Sequence, residues 1–191
     1  MSGTDREKWN ERYRDGAYAE RRLPSAFLAS WIERIPLGHA LDVACGAGRN
    51  ALYLAAQGFE VDAVDISGEA LERARDTAQG SGLGVNWLQH DLDEPLTLDG
   101  PYQLILIIRY VNLPLVRRLT ANLAPGGYLV CEQHLVTEAD VIGPTNPSYR
   151  VKSGDLLGVV QPLQIHHFEE ALVPDPDGRT AALARLVAQK V

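Results

Sequence analysis

Residues 41 to 67, LDVACGAGRNALYLAAQGFEVDAVDIS, constrain this chain more than any other stretch. Leu41, Val43 and Cys45 stand in a short apolar run that reads as a strand. Gly46-Ala47-Gly48 follows as a sharp turn, where backbone can approach a ligand with no Cβ in between. A helix starts there, and its free N–H groups and positive dipole end favour a carboxylate or phosphate. Roughly twenty residues on, Asp65 closes the strand Val61 to Val64, where its carboxylate can accept two hydrogen bonds from ribose hydroxyls. This is half of a nucleotide-binding fold, and the expected ligand carries a nucleoside.

The turn alone leaves two cofactor classes open, because Gly46-Ala47-Gly48-Arg49-Asn50-Ala51 also satisfies the dinucleotide pattern G-x-G-x-x-G/A. The wider sequence separates them. Asp42, Ala44, Gly46 and Gly48 fall at every second position, and this resembles the D/E-x-G-x-G-x-G signature of class I S-adenosylmethionine-dependent methyltransferases, with Ala44 in place of the first glycine. The resemblance extends along most of the chain. It includes Asp65 after the second strand, Gln89-His90-Asp91-Leu92 after the third (Val85 to Leu88), and a fourth strand Leu104 to Ile108. Leu123-Ala124-Pro125-Gly126-Gly127-Tyr128-Leu129-Val130 resembles the family's turn into its fifth strand. Trp9-Asn10-Glu11-Arg12-Tyr13, Ile108-Arg109-Tyr110 and Asn146-Pro147 narrow the likeness to the small tellurite-resistance-type methyltransferases.

The resemblance implies S-adenosyl-L-methionine as cofactor. Its binding residues would be Asp42, Ala44, Cys45, Gly46, Gly48, Arg49 and Asn50 around the first turn, Asp65 and Ile66 after the second strand, and Ile108 at the end of the fourth. Asp91 would accept from the adenine amino group while the Leu92 backbone reads the ring. Trp9 and Tyr13 would lie over the cofactor, or else pack the first helix on the sheet. Tyr102-Gln103 stands where these enzymes commonly have Tyr/Phe-Asp, which would weaken the site if that acid orients the glycine turn.

Alternating strands and helices imply an α/β fold. The resemblance specifies three layers and a Rossmann-like, seven-stranded, mostly parallel sheet with a C-terminal antiparallel hairpin, while the length of 191 residues leads to the expectation of a single domain over residues 1–191. Trp9 to Tyr13, Phe27 to Ile35 and about Arg49 to Gln57 read as helices, the last stopped by Gly58. Ser67 is the expected N-cap of a helix carrying Leu71 and Ala74, Pro114 begins another, and Ser153 caps one through Val160. Strands from Leu163 and Thr180 flank the turn Asp175-Pro176-Asp177-Gly178.

A net charge of −7 with scattered Lys and Arg argues against a nucleic-acid partner. No apolar run approaches the ~20 residues of a membrane span, and the N-terminal MSGTDREKWNERYRDG has no apolar core, so a cytoplasmic monomer or homodimer is expected. Cys45 and Cys131 read as buried reduced thiols.

Acceptor-side residues should lie at the carboxyl ends of the strands. Arg109, Tyr110 and Asn112 follow the fourth strand; Glu132, Gln133 and His134 end the fifth. Arg109 and His134 are the catalytic candidates, Arg109 as a partner for a substrate anion and His134 as an acceptor contact or base. Their structural alternatives are an ion pair for Arg109 and a loop histidine satisfied by backbone for His134. The loop from Thr137 to Lys152 is the expected substrate cover, where Arg150 and Lys152 would attract an anionic acceptor or form a solvated pair. Asn146-Pro147-Ser148-Tyr149 stands after the wrong strand for an amine-holding motif, and reads as loop punctuation. His166 and His167, adjacent on a strand, should face opposite sides, and an Arg stands where a metal-dependent methylase would have an acid, so no metal is expected.

The expected function is transfer of a methyl group from S-adenosyl-L-methionine to a small molecule, by the narrower resemblance a thiol or a tellurium or selenium oxyanion. The alternatives are a nicotinamide-dependent Rossmann oxidoreductase and a non-catalytic S-adenosylmethionine-binding protein.

Overall fold

The computed structural model describes residues 3–175 and 178–191. In chain order the elements are α1 (Gly3–Arg14), α2 (Ala26–Trp31), β1 (His39–Val43), α3 (Arg49–Ala56), β2 (Glu60–Asp65), α4 (Gly68–Ser81), β3 (Asn86–Gln89) and β4 (Tyr102–Ile108). They continue with α5 (Leu113–Leu119), β5 (Leu123–His134), α6 (Asp155–Val159), β6 (Gln164–Pro174) and β7 (Thr180–Gln189). The seven strands form one sheet in the order β3-β2-β1-β4-β5-β7-β6. β1 pairs in parallel with β2 and β4, β2 with β3, and β4 with β5, while β7 runs antiparallel to both β5 and β6. The strand order reverses at β1 and β4, so a crevice opens beyond their carboxyl ends, where open α/β sheets bind ligands. The expected α/β fold, with its closing antiparallel hairpin, is the observed one.

The sheet is apolar on both faces because helices cover both, giving three layers. On one side Phe27 and Leu28 of α2, Ala51 and Leu54 of α3 and Leu71 of α4 pack against Ala40, Ala63, Leu104 and Leu106. On the other, Leu115, Val116 and Leu119 of α5 and Leu156 of α6 meet Leu41, Val43, Ile105, Ile107 and Leu129. Ser67 caps α4 by accepting from the Ala70 N–H at 3.2 Å, and Asn112 caps α5 by accepting from the Leu115 N–H at 3.0 Å. Gly58 has φ +96 just past α3. No helix among the described residues is long and apolar enough to cross a membrane.

Several local expectations are corrected. Ser153 does not cap α6: Gly154 holds the N-cap position, and the Ser153 hydroxyl instead donates to Glu170 at 2.5 Å. β5 already starts at Leu123, so the Pro125-Gly126-Gly127 stretch lies inside an irregular strand, with a register shift opposite Tyr102–Leu104. Gly127 is required there, since a Cβ would stand 2.7 Å from the Tyr102 carbonyl. A bulge between Ile165 and His167 interrupts the alternation of β6; His166 lies against Tyr128 and His167 against Phe27 and Trp31. Pro176 and Asp177 of the expected turn lie outside the described residues. The residues flanking them close the hairpin, the Asp175 N–H donating to the Arg179 carbonyl at 2.7 Å.

Gln103 is the second residue of β4 and lies at the end of the sheet opposite the crevice, where its amide donates to the Gly126 carbonyl at 3.1 Å. It cannot orient the glycine turn, so the departure from Tyr/Phe-Asp leaves that turn unaffected. A buried carboxylate does order that end: Asp62 accepts from the Tyr102 hydroxyl at 2.6 Å and the Asn86 amide at 2.8 Å, with His39 at 3.1 Å.

Gly48 has φ +80, and a Cβ there would lie 2.5 Å from the Trp87 ring. Gly48→Ala therefore combines left-handed strain with overpacking and should cost about 1–3 kcal/mol in urea unfolding. An unchanged midpoint would show that Trp87 does not constrain the turn.

Candidate active site

The turn between β1 and α3 is left-handed at three residues: Ala44 (φ +56), Gly46 (φ +56) and Gly48 (φ +80). Ala44 fits sterically, its methyl packing against the core, so the cost of alanine here is conformational, about 1–2 kcal/mol, rather than the loss of room. Gly46 is needed because the Tyr13 hydroxyl of α1 lies where a Cβ would project. One buried carboxylate organises the turn. Asp65 accepts from the Gly46 N–H at 2.8 Å and the Ser67 N–H at 2.9 Å, joining the glycine turn to the start of α4. Burial pushes its carboxyl pKa up, opposed by the N–H groups of Ser67, Gly46 and Ile66.

A cleft of about 1280 Å³ opens at this point. It exceeds the ~300–1,000 Å³ that typically holds one small ligand, so it has room for two side by side. Of the residues expected at the cofactor, Trp9, Tyr13, Ala44, Cys45, Gly46, Arg49, Asn50, Asp65 and Ile108 line it. Gly48, Ile66, Asp91 and Leu92 stand outside its wall; Leu92 is buried, and Asp91 turns the chain by accepting from the Asp93 N–H at 3.0 Å, while Asp93 lines the cleft. Asp42 lies behind the turn, fully buried, and one of its oxygens, Oδ2, has no hydrogen-bond partner. Burial raises its pKa to about 7, opposed by Arg49 and the Ala51 N–H. The Cys45 thiol is held well above its usual pKa by burial and then by Asp65, so it is no thiolate nucleophile.

α1 forms one rim. Asn10 accepts from the Ser67 hydroxyl at 2.8 Å, Arg14 pairs with Glu69 at 2.8 Å, and Arg73 donates to the Tyr13 and Ala17 carbonyls, fixing the helix to α4. The Trp9 and Tyr13 rings lie tilted with centroids 6.3 Å apart, with Arg12 over the Trp9 ring at 4.9 Å. Both residues line the cleft, and Tyr13 is buried.

Arg109 and His134 line the same cleft. Arg109 has φ +58, rare for a side-chain-bearing residue, and its N–H donates to the Glu132 carbonyl at 2.6 Å. Its guanidinium reaches Asp175 at 2.6 Å and Glu132 at 3.3 Å. Glu132 also takes Arg185 at 2.9 Å, and Asp175 takes Arg21 at 3.4 Å. Arg109 thus lines the cleft while carrying a buried ion-pair network. Glu132 and Gln133 are buried away from the cleft; His134 reaches it. The backbone does not satisfy its ring, since Nδ1 is buried with no partner. Burial, then Arg109 and Arg150, lowers its pKa to about 4, so its imidazole is neutral near pH 7.

Residues 140–144 and Tyr149 of the loop after β5 line the cleft. Arg150 neither attracts an anion nor forms a solvated pair; it staples the loop, donating to the carbonyls of Pro144 at 2.8 Å and Leu135 at 2.9 Å. Asn146 caps a short turn by accepting from the Ser148 N–H at 2.9 Å. Sequence reasoning missed Arg12, Arg21 and Asp175 as parts of the site. Arg12 had a signal, three residues from Trp9 on one helix face; Arg21 and Asp175 meet only through tertiary folding. Among the described residues no group of three His, Cys, Asp or Glu is placed to hold a metal ion.

Comparison with known proteins agrees with this geometry. Residues 40–127, which hold the glycine turn, Asp65 and Asp91, match the family described as a methyltransferase domain. The chain is similar to TehB from Haemophilus influenzae, at 20% identity over 95% of this chain and 67% of that one, with a TM-score of 0.77. This is the class I S-adenosylmethionine-dependent methyltransferase fold. Magnesium protoporphyrin IX methyltransferase (ChlM) from Synechocystis, solved with bound SAH, superposes with a TM-score of 0.74 at 15% identity over 99% of both chains. In sequence, the ubiquinone biosynthesis O-methyltransferase of Rickettsia felis is 30% identical over 140 residues, 70% of this chain and 54% of that one. The chain spans about half the length of the curated relatives it matches. Family and fold imply S-adenosylmethionine as the cofactor, and the cleft volume, the glycine turn and the carboxylate of Asp65 in its wall fit that group.

The depressed pKa of His134 makes a testable stability term. In the unfolded chain a histidine protonates near pH 6.5, whereas His134 in the fold protonates near 4, so acid favours unfolding across that window. Stability of the native chain should fall relative to His134→Gln as pH drops from ~6.5 to ~4. Parallel stability curves for the two proteins would contradict a neutral buried imidazole.

Proposed function

We propose that this chain is an enzyme that transfers the methyl group of S-adenosylmethionine to a small-molecule acceptor bound beside it in the same cleft. The observation that carries this reading is one cleft lined both by the Asp65-braced glycine turn and by His134 and Arg109. When bound, S-adenosylmethionine supplies a methyl group on a sulfonium centre. The chain's own contribution is alignment and exclusion of water, and well-oriented reactions can gain ~7–11 kcal/mol from alignment.

Asp65 offers its remaining lone pairs to ribose hydroxyls while holding the turn. Asp91 and the Leu92 backbone are the proposed adenine contacts, reached after the 91–94 turn adjusts. Trp9 and Tyr13 cover the cofactor end, and residues 140–144 cover the acceptor end. His134, neutral near pH 7, is an acceptor contact, a hydrogen-bond partner and not a strong base, since its imidazolium is disfavoured there. The acceptor class that suits so little acid-base machinery is a soft nucleophile or an oxyanion, a thiol or a tellurium or selenium species. We read residues 1–191 as one such domain, with no nucleic-acid partner.

The two alternatives find less support. Dinucleotide-binding sheets run 3-2-1-4-5-6, whereas here an antiparallel β7 is inserted between β5 and β6. A purely cofactor-binding protein would have no use for the volume beside His134.

Asp65→Ala should lower affinity for S-adenosylmethionine by about a hundredfold, through loss of two charge-assisted hydrogen bonds. Calorimetric titration of folded variant and parent checks this. Equal affinities would put the ribose elsewhere.

A further inference from the structure

Among the described residues, three other than glycine have a left-handed backbone, Tyr18, Ala44 and Arg109, and all three line the cleft. Ala44 belongs to the glycine turn and Arg109 to the ion-pair network. Tyr18, at φ +60, belongs to neither. A bulky aromatic residue is strained in that conformation, and strain of this kind gathers at functional sites. The side chain it delivers is not packed away, for Tyr18 lines the cleft with 40% of its surface exposed. Its ring lies 5.8 Å from that of Tyr13, tilted by 49°, and the Arg12 and Arg21 guanidiniums stand at 5.9 and 5.7 Å, near the outer limit of such contacts. Tyr13 lies over Gly46, whereas Arg21 shares Asp175 with Arg109 and stands close enough to His134 to act on its pKa. Tyr18 therefore bridges the residues over the glycine turn and those beside His134. Val111, Val141, Ile142, Pro144 and Tyr149 line the same cleft, and Tyr149 is 50% exposed. Exposed apolar surface grouped in a cleft is stabilised by an apolar ligand that removes it from water.

We propose that Tyr18 is the specificity-determining residue for an acceptor that carries its sulfur on an aromatic ring, an arenethiol, whose ring packs against Tyr18 beside the Arg12 and Arg21 guanidiniums. This rests on the methyl transfer proposed above and decides among its acceptors. A compact ion would leave Tyr18, Tyr149 and the aliphatic wall in water, whereas an aromatic ring covers them and suits guanidinium neighbours. An arenethiol also needs no strong base. Its ring shares the negative charge, so it ionises more readily than an alkyl thiol and gives its proton to solvent before transfer. A sulfur lone pair of the thiolate then forms the bond to the methyl carbon as the bond from that carbon to the sulfonium breaks. The electron pair of the broken bond stays on the cofactor's sulfur, and the products are an aryl methyl sulfide and neutral-sulfur S-adenosylhomocysteine.

The test is calorimetric titration of the full chain, saturated with S-adenosylhomocysteine so that no methyl can move, with benzenethiol and separately with 2-mercaptoethanol. Saturable binding of benzenethiol is expected, about tenfold or more tighter than that of 2-mercaptoethanol. Tyr18→Ala should weaken it about threefold to tenfold, and Tyr18→Phe, which keeps the ring, should restore it. Affinity for S-adenosylhomocysteine should stay unchanged in both. Tyr18→Gly separates this role from a structural one: glycine relieves the left-handed strain, so its urea midpoint should match or exceed the parent's while benzenethiol binding weakens as in Tyr18→Ala. The glycine variant serves alone if the alanine variant does not fold. No binding of benzenethiol, equal affinity for the two thiols, or unchanged affinity in Tyr18→Ala and Tyr18→Gly would overturn the proposal. So would a parallel loss of S-adenosylhomocysteine affinity in those variants, because Tyr18 would then be a cofactor contact. Failure of S-adenosylhomocysteine to bind the parent chain would instead remove the methyltransferase reading, and this proposal with it.

Discussion

The Asp65 carboxylate is the point from which the rest of the site is built. It lies buried at the end of β2 and receives N–H groups from both the glycine turn and the first turn of α4. A charged group in that position is expensive without partners, and here the partners are backbone groups of two separate loops. The carboxylate therefore fixes the distance between the β1 and β2 ends. The left-handed conformation of Ala44, Gly46 and Gly48 is held by that brace and by the Cys45 N–H, which donates to the Val64 carbonyl at 3.0 Å. Tyr13 can then lie over Gly46, and α1 closes one side of the cleft.

The opposite side is held by charge rather than by backbone. Arg109, Asp175, Arg21, Glu132 and Arg185 link the end of β4, the hairpin, the segment after α1 and strands β5 and β7. Removing one member of such a buried network leaves its partner unpaired, which costs more than the pair itself contributes. The network also consumes Arg109, the cation that the sequence made most prominent.

Much of this was legible in the sequence, and what was not has a physical reason. Glycines at alternate positions, an acid at a strand end and Ser67 before a helix are local signals, because one strand, turn or cap decides them. The seven-stranded, mostly parallel sheet followed from the family likeness and the closing hairpin from strands flanking a turn signal, and the structure agrees with both. The misreadings share another origin. Gln103, read as a threat to the turn, stands at the far end of its strand; Arg150, read as a surface charge, is spent on three carbonyls; Ser153 yields its cap position to Gly154. Gln103 is fixed by its place at the start of β4 beside β5, whereas Arg150 and Ser153 depend on where the loops of 135–155 fold back. No spacing rule encodes the meeting of Arg21 with Asp175, which are 154 positions apart.

If the Asp65-braced turn and its cleft bind S-adenosylmethionine, isothermal titration of the full chain with S-adenosylmethionine, S-adenosylhomocysteine and NAD in parallel should give saturable one-site binding of the first two and none of NAD. Binding of NAD without the sulfur nucleosides, or of none of the three, would contradict that reading.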